Sequence, residues 1–253
     1  MTRTFIATDQ LAESNFRVGG VISRSASVLS RRFLTFFIVA VVAFSPMVLL
    51  ILPPTMWPTD PPPASVMLAL RFVLLMVLSP LSSAVILHAA FQDMRNGPVN
   101  LADSLKVGLS GFPRLMLLSP LAVAPLVFSS TLQDIPVLIV SLIFFTRWFV
   151  AVPAFVVERL RLVRSLLRSR DLTKGHRWKV FGVVLLLLLL SLVVPLLELA
   201  LSAVGGETSA VVGDLISIAI VGATSSVIIA VTYHDLRAAK EATDIEQTAA
   251  VFD

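Results

Sequence analysis

The sequence predicts an all-α integral membrane protein with six transmembrane helices. Three observations predict it: apolar runs long enough to cross a bilayer, a one-sided distribution of basic residues, and a segment that recurs ahead of alternate runs. Of 253 residues, 57% are hydrophobic and only 14% are charged, with a mean hydropathy of +0.91. A soluble domain carries about 25% charge. A chain this apolar has to give its surface to lipid rather than water. Cysteine is absent, so disulfides and thiolate metal sites are excluded.

Residues 1–15 are polar and read as a disordered tail. Phe16 to Ser30 is mildly amphipathic, and Phe33 to Leu52 is the first span. It needs about twenty apolar residues to cross roughly 30 Å of hydrocarbon, and it has them. The polar region ahead of it is too long, and its apolar core too extended, for a cleaved signal peptide. Pro53 to Pro63 cannot be helix interior and reads as a stiff loop, with Trp57 as an interface anchor. Val66 to Phe91 is the second span. A short helix over Val99 to Leu109 is expected to end near Gly111. Leu115 to Ser130 is the third span, with Pro120 and Pro125 inside it, and Thr131 to Asp134 a tight loop. Ile135 to Val157 is the fourth span and Val180 to Val204 the fifth, apolar on every face through Leu185 to Leu190. Gly205 to Ser209 turns the chain into the sixth span, Ala210 to Tyr233. One membrane domain therefore covers 16–236, and 237–253 is a charged tail.

Glu158 to Lys179 is the basic stretch between the fourth and fifth spans. Of the twenty Lys and Arg residues, all but Arg71 and Arg147 lie in this stretch, in the tails, or in the connection after the second span. The other three connections hold none. The positive-inside rule then places both termini in the cytoplasm. The net charge of +4 belongs to this topology signal and to anionic lipid head groups. It does not mark nucleic-acid binding, since no recognition fold or stacking platform accompanies it.

The three odd spans are each preceded by the same unit. Ile22-Ser23-Arg24-Ser25 aligns with Leu101-Ala102-Asp103-Ser104 and with Leu166-Leu167-Arg168-Ser169, and three residues on Val28, Val107 and Leu172 match. The even spans end alike, at Asp93, Glu158 and Asp235, each with arginine close by. The chain reads as three repeats, about 16–95, 96–161 and 162–237, of an interfacial amphipathic helix plus a transmembrane hairpin.

Two stretches carry a resemblance. One is Leu166-Leu167-Arg168-Ser169, Leu172-Thr173-Lys174-Gly175 and Trp178, after Pro153 and Glu158. The other is Tyr233, Asp235-Leu236-Arg237, Lys240-Glu241, Asp244 and Glu246. Together they resemble the membrane-domain family of glycerophosphoryl diester phosphodiesterase and related six-span bacterial membrane proteins. The resemblance implies a stand-alone module of the bacterial inner membrane. The phosphodiesterase barrel that follows in fused members has no counterpart among the few residues after the last span, and Ala242 stands where the family usually has Gly. No catalytic residue carries over.

The remaining candidates are intramembrane ions, which are functional hypotheses by default. Arg147 counts to about 18 Å into the fourth span, near the midplane, with no carboxylate at that depth in another span. Snorkelling past Trp148, donation to carbonyls freed by neighbouring prolines, and an anion such as a lipid phosphate are the open offsets. Arg71, Glu198 and Asp214 lie toward the outer ends of their spans, where they pair, snorkel separately or form a substrate site. A carboxylate near a helix C-terminus is disfavoured by the macrodipole. Asp93, Glu158 and Asp235 are therefore expected to pair with arginines of the interfacial helices, Arg168 among them, as a cytoplasmic collar. His88 and His234 are isolated span-end residues, and no metal-ligand spacing, cofactor motif or catalytic constellation is present. The expected role is a non-enzymatic module that organises or anchors lipids or partner proteins. The alternative is a small transporter or lipid-handling protein with an anion site at Arg147.

Overall fold

The computed structural model describes residues 16–47, 63–95, 97–128 and 135–249. Among them the chain is helical, with no strand. The helices are α1 (Val18–Phe44), α2 (Ala64–Met94), α3 (Leu101–Phe128), α4 (Ile135–Trp148), α5 (Ala151–Glu158), α6 (Leu162–Thr173), α7 (Arg177–Ser191) and α8 (Val193–Ala249). A 3-10 turn, Ser45–Met47, extends α1. Val18–Met47, Ser65–Met94 and Val212–Ala242 are long and apolar enough to cross a membrane, and they mark the chain as a membrane protein. The tail over 1–15, Trp57 with most of its proline-rich loop, and the Thr131 to Asp134 loop lie outside the described residues.

α1 holds two segments. Arg32 leaves helical geometry at φ −133° and ψ 16°, which divides the amphipathic stretch from the span. Ahead of it Val21, Ser25 and Val28 are buried, and beyond it Phe36, Ala40 and Phe44, so one stripe at helical spacing faces the bundle. Leu34, Ile38 and Val42 form the opposite stripe and are exposed, as a lipid-facing surface should be.

α1 packs along α8 and α2, α3 along α2 and α4, and α6 along α5 and α4. α2 and the second half of α8 lie side by side in parallel. Arg71 pairs with Asp214 and Ser83 meets Ser226, both at a separation of 143 residues, and Phe91 stacks edge-on to Tyr233 at 5.7 Å. A constant offset over five turns is a parallel register. Ala84, Ala89, Ala90, Ala219, Ala223 and Ala230 are buried in this region. Small side chains let helices approach closely, which is what drives association where lipid is as apolar as the core. Gly108 serves α3 in the same way, since a Cβ there would sit 3.0 Å from Val85 Cγ2.

Four elements differ from expectation. The fourth span is not continuous: α4 stops at Trp148, and α5 starts at Ala151. Pro153 has no N–H for the Phe149 carbonyl, and its ring crowds that carbonyl, so the helix breaks there. The fifth span breaks at Leu192 for the same reason, Pro195 leaving the Ser191 carbonyl without a donor. The short helix expected to end near Gly111 instead runs on through Pro113 as part of α3. One proline removes one bond, which a helix can absorb with a bend. The turn expected over Gly205 to Ser209 is helical backbone within α8. The chain nonetheless reverses there, because a Cβ on Gly213 would collide with Leu201. In a straight helix those residues would stand about 18 Å apart.

α6 is the most amphipathic helix. Ser165, Ser169, Leu172 and Thr173 are buried, while Val163, Arg164, Leu167 and Arg170 are exposed. Gly175 then takes φ +91°, where glycine carries no Cβ penalty, and the chain enters α7.

Candidate functional site

The ionisable residues that sequence reasoning singled out gather mainly at one end of the bundle. Asp93 closes α2 and is 8% exposed. Arg31 donates to its Oδ2 through Nε at 3.2 Å and Nη2 at 2.9 Å, and Arg32 Nε reaches Oδ1 at 3.2 Å. Asp235, equally buried but inside α8, which runs on to Ala249, accepts from Arg24 Nη1 at 2.6 Å. Glu158, the last residue of α5, accepts from Arg168 Nε at 3.1 Å and from the Tyr233 hydroxyl at 2.5 Å, both on Oε1. Each carboxylate thus meets an arginine from a surface helix, α1 or α6. Asp93 and Glu158 stand at helix C-termini, where a carboxylate faces partial negative charge that a guanidinium offsets; Asp235, expected to end its helix as well, does not, because α8 continues to Ala249.

The sequence named Arg168 for this arrangement and missed Arg24, Arg31, Arg32 and Tyr233. For Arg24 the signal was present, since it aligns with Arg168 in the recurring unit. The aligned serines Ser25, Ser104 and Ser169 are likewise all buried. Ser169 donates to the Arg147 carbonyl at 2.8 Å, and Ser104 lies 3.0 Å from His88 Nδ1.

Arg71 and Asp214 form a separate pair. Arg71 Nη2 donates to both oxygens of Asp214, at 3.2 and 3.1 Å, and Asp214 is 4% exposed. Along α2 this lies about 33 Å from Asp93. The Glu198 side chain lies outside the described residues.

Arg147 does not lie within one unbroken helix over 135–157. It sits in the last turn of α4 beside Arg177, Trp178 and Phe181 of α7, so its guanidinium is level with the first turns of that helix. The residue count assumed an unbroken span through Val157, and the break after Trp148 removes that assumption. Leu142, Ile143, Thr146, Arg147, Arg177, Trp178 and Phe181 line a groove of about 540 Å³. Arg147 Cζ stands 5.9 Å from the centre of the Phe144 ring, a cation–π distance. Its Nε is buried and has no hydrogen-bond partner. Trp178 is 86% exposed at the mouth. An apolar floor, two guanidinium groups and an indole at the rim suit a molecule with an apolar chain and an anionic head.

His176, between α6 and α7, packs edge-on against Phe16 at 5.7 Å. Burial, then Lys179 and Lys240, hold its imidazole below the usual pKa, so it adds no charge here near neutral pH. Among the described residues no three His, Asp or Glu side chains come together as a metal site.

No protein-family model matches the chain, and neither a curated protein nor a solved structure matches it.

Proposed function

We propose that this protein is a lipid-handling membrane module, and that it seats the phosphate of an anionic lipid between Arg147 and Arg177. The observation that carries the reading is the Arg147 Nε, buried without a partner at the wall of an open groove. A buried guanidinium N–H left unpaired costs free energy, and a phosphate oxygen would satisfy it. Leu142, Ile143 and Phe181 offer the acyl chain an apolar track, and Trp178 sits where an indole belongs at a membrane interface. No hydrolytic step enters the proposal. The other intramembrane ions, Arg71 and Asp214, engage each other.

The reading includes six spans in three cyclically arranged copies, with both termini cytoplasmic in a bacterial inner membrane. The equivalent residues Arg24 and Arg168 support the cyclic order, since each binds the carboxylate that ends the preceding even span. The one-sided basic residues support the orientation. The resemblance of the basic stretch and the C-terminal end to the phosphodiesterase membrane-domain family is consistent with both. A reporter active only outside the cytoplasm should work when fused after Asp134 and stay silent after Lys174; the reverse pattern refutes the orientation.

Native mass spectrometry of the purified protein tests the lipid site. Wild type should retain an anionic phospholipid. Arg147→Lys should fold but retain about tenfold less, since an ammonium lacks the bidentate fork. Arg147→Leu should retain none at the groove. A wild type free of anionic lipid, or an Arg147→Leu protein that keeps it, sinks the site. A second reading is an organising module that binds no lipid, and the ion pairs at Asp93, Glu158 and Asp235 favour it. It predicts a stable wild type that carries no anionic lipid.

A further inference from the structure

Three surface segments lie against the charged end of the bundle, and two of them are locked by the chain itself. Arg24 reaches Asp235, and Arg168 reaches Glu158. The third seat, where α3 lies against α2 and α5, has Asp103 at the aligned position. Asp93, the carboxylate at the end of α2, is already held by Arg31 and Arg32. This seat contains two adjoining cavities, of about 230 and about 370 Å³. His88, Gln92, Arg95 and Arg159 contribute the polar lining of the first, and Lys106, Ser110 and Arg159 that of the second. No carboxylate lines either. Among the described residues Arg95, Lys106 and Arg159 make no ion pair. Glu158, the neighbour of Arg159, is engaged by Arg168 and Tyr233.

Arg159 carries a second signal. Its backbone is left-handed, at φ 51° and ψ 37°, and no other described residue except Gly175 has positive φ. Glycine would hold this turn after α5 without strain. An arginine in that conformation, on the wall shared by both cavities, points to a use for its side chain.

We propose that the seat between α2, α3 and α5 binds a phosphate-bearing anion. Two guanidinium groups and an ammonium that make no ion pair supply charge and forked donors for phosphate oxygens, and the nearby carboxylate, Asp103, acts on His88 from outside the cavity lining. The Ser110 hydroxyl is not among the free donors, since it already donates to the Val107 carbonyl at 3.0 Å. The Gln92 carbonyl oxygen accepts from the Asn100 N–H at 2.7 Å, and its amide nitrogen lies 3.4 Å from His88 Nδ1, which leaves one of its two N–H donors for the anion. The phosphate arrives either as a lipid head group or on a soluble compound. The site does not depend on the Arg147 groove, with which it shares no residue.

Full-length protein in phosphatidylcholine nanodiscs, titrated with pyrophosphate by calorimetry, tests the soluble source. Nanodiscs containing phosphatidylglycerol, with the retained lipid counted by native mass spectrometry, test the lipid source. Arg159→Gly is the informative variant, because glycine suits the left-handed backbone and the melting midpoint should hold or rise. For a soluble source it should weaken pyrophosphate at least tenfold. For a lipid source it should remove one phosphatidylglycerol that Arg147→Leu leaves in place. Arg95→Gln should act in the same direction. If Arg159→Gly and Arg95→Gln both melt like the wild type and change neither reading, the seat holds no anion. If Arg147→Leu alone removes the anion, only the groove binds one.

Discussion

The seat of α6 on α5 and the seat of α3 on α2 and α5 share an aligned sequence unit but differ in one sign of charge. In the first, Arg168 crosses to Glu158 and closes the contact. In the second, Asp103 stands at the aligned position and the seat is open, lined by Arg95, Lys106 and Arg159. The serine that follows is buried in both, as Ser169 and as Ser104, so the helices present the same face. Backbone placement is therefore common to the two seats, and the charge at one position decides whether the arginines nearby find a partner within the chain. Where they do, the contact is structural. Where they do not, positive charge is left facing a cavity.

The largest expected effect comes from giving the closed seat the sign of the open one. Arg168→Glu places a second carboxylate against Glu158, which is 18% exposed, and leaves Tyr233 as its remaining donor. Exposed pairs contribute about 0.2–1 kcal/mol, whereas breaking a buried pair costs about 3–5 kcal/mol. Arg168 is 32% exposed, so the loss should fall between, at about 2 kcal/mol. The apparent melting midpoint in detergent should drop by about 4–8 °C. Arg164→Glu on the exposed face of the same helix is the control and should stay within about 0.5 kcal/mol. Equal losses from the two variants would mean that the pair with Glu158 does not hold α6 in place, and the contrast between the seats would lose its energetic basis.

Much of this arrangement was legible as residues and little of it as geometry. The helical class and the long apolar helices follow from composition and run length. The pairing of Asp93 and Glu158 with arginines follows from macrodipole electrostatics, which depends only on where a helix ends, whereas Asp235 pairs with Arg24 although α8 runs on to Ala249. Arg71 and Asp214 were candidates because each sits at a similar depth in its span. The depth read for Arg147 rested on a residue count, which assumes a straight helix, and Pro153 breaks this one six residues downstream. A proline three residues into a new turn is compatible with either a bend or a break, and neighbouring helices decide between them. The open seat was not visible at all. It depends on α3, α2 and α5 meeting, on the backbone of Arg159, and on Asp93 having been taken by α1, and none of these is local in sequence.

The smallest expected effect is the most informative about the open seat. Asp103→Arg gives α3 the residue that α1 and α6 carry at this position. Two terms oppose each other. Asp103 lies in the first turn of α3, where a carboxylate gains about 0.3–1 kcal/mol from the helix dipole, and an arginine forfeits this. In return the new guanidinium reaches toward Asp93, but Arg31 and Arg32 already occupy both oxygens of that carboxylate. A shared acceptor adds little, so stability should change by less than about 0.5 kcal/mol. The added charge should instead appear as a few-fold gain in pyrophosphate affinity, or in retained phosphatidylglycerol. A rise in stability above about 1 kcal/mol with loss of anion binding would mean that the new arginine had displaced α1 from Asp93 and closed the seat. Asp103 would then be the residue that keeps it open.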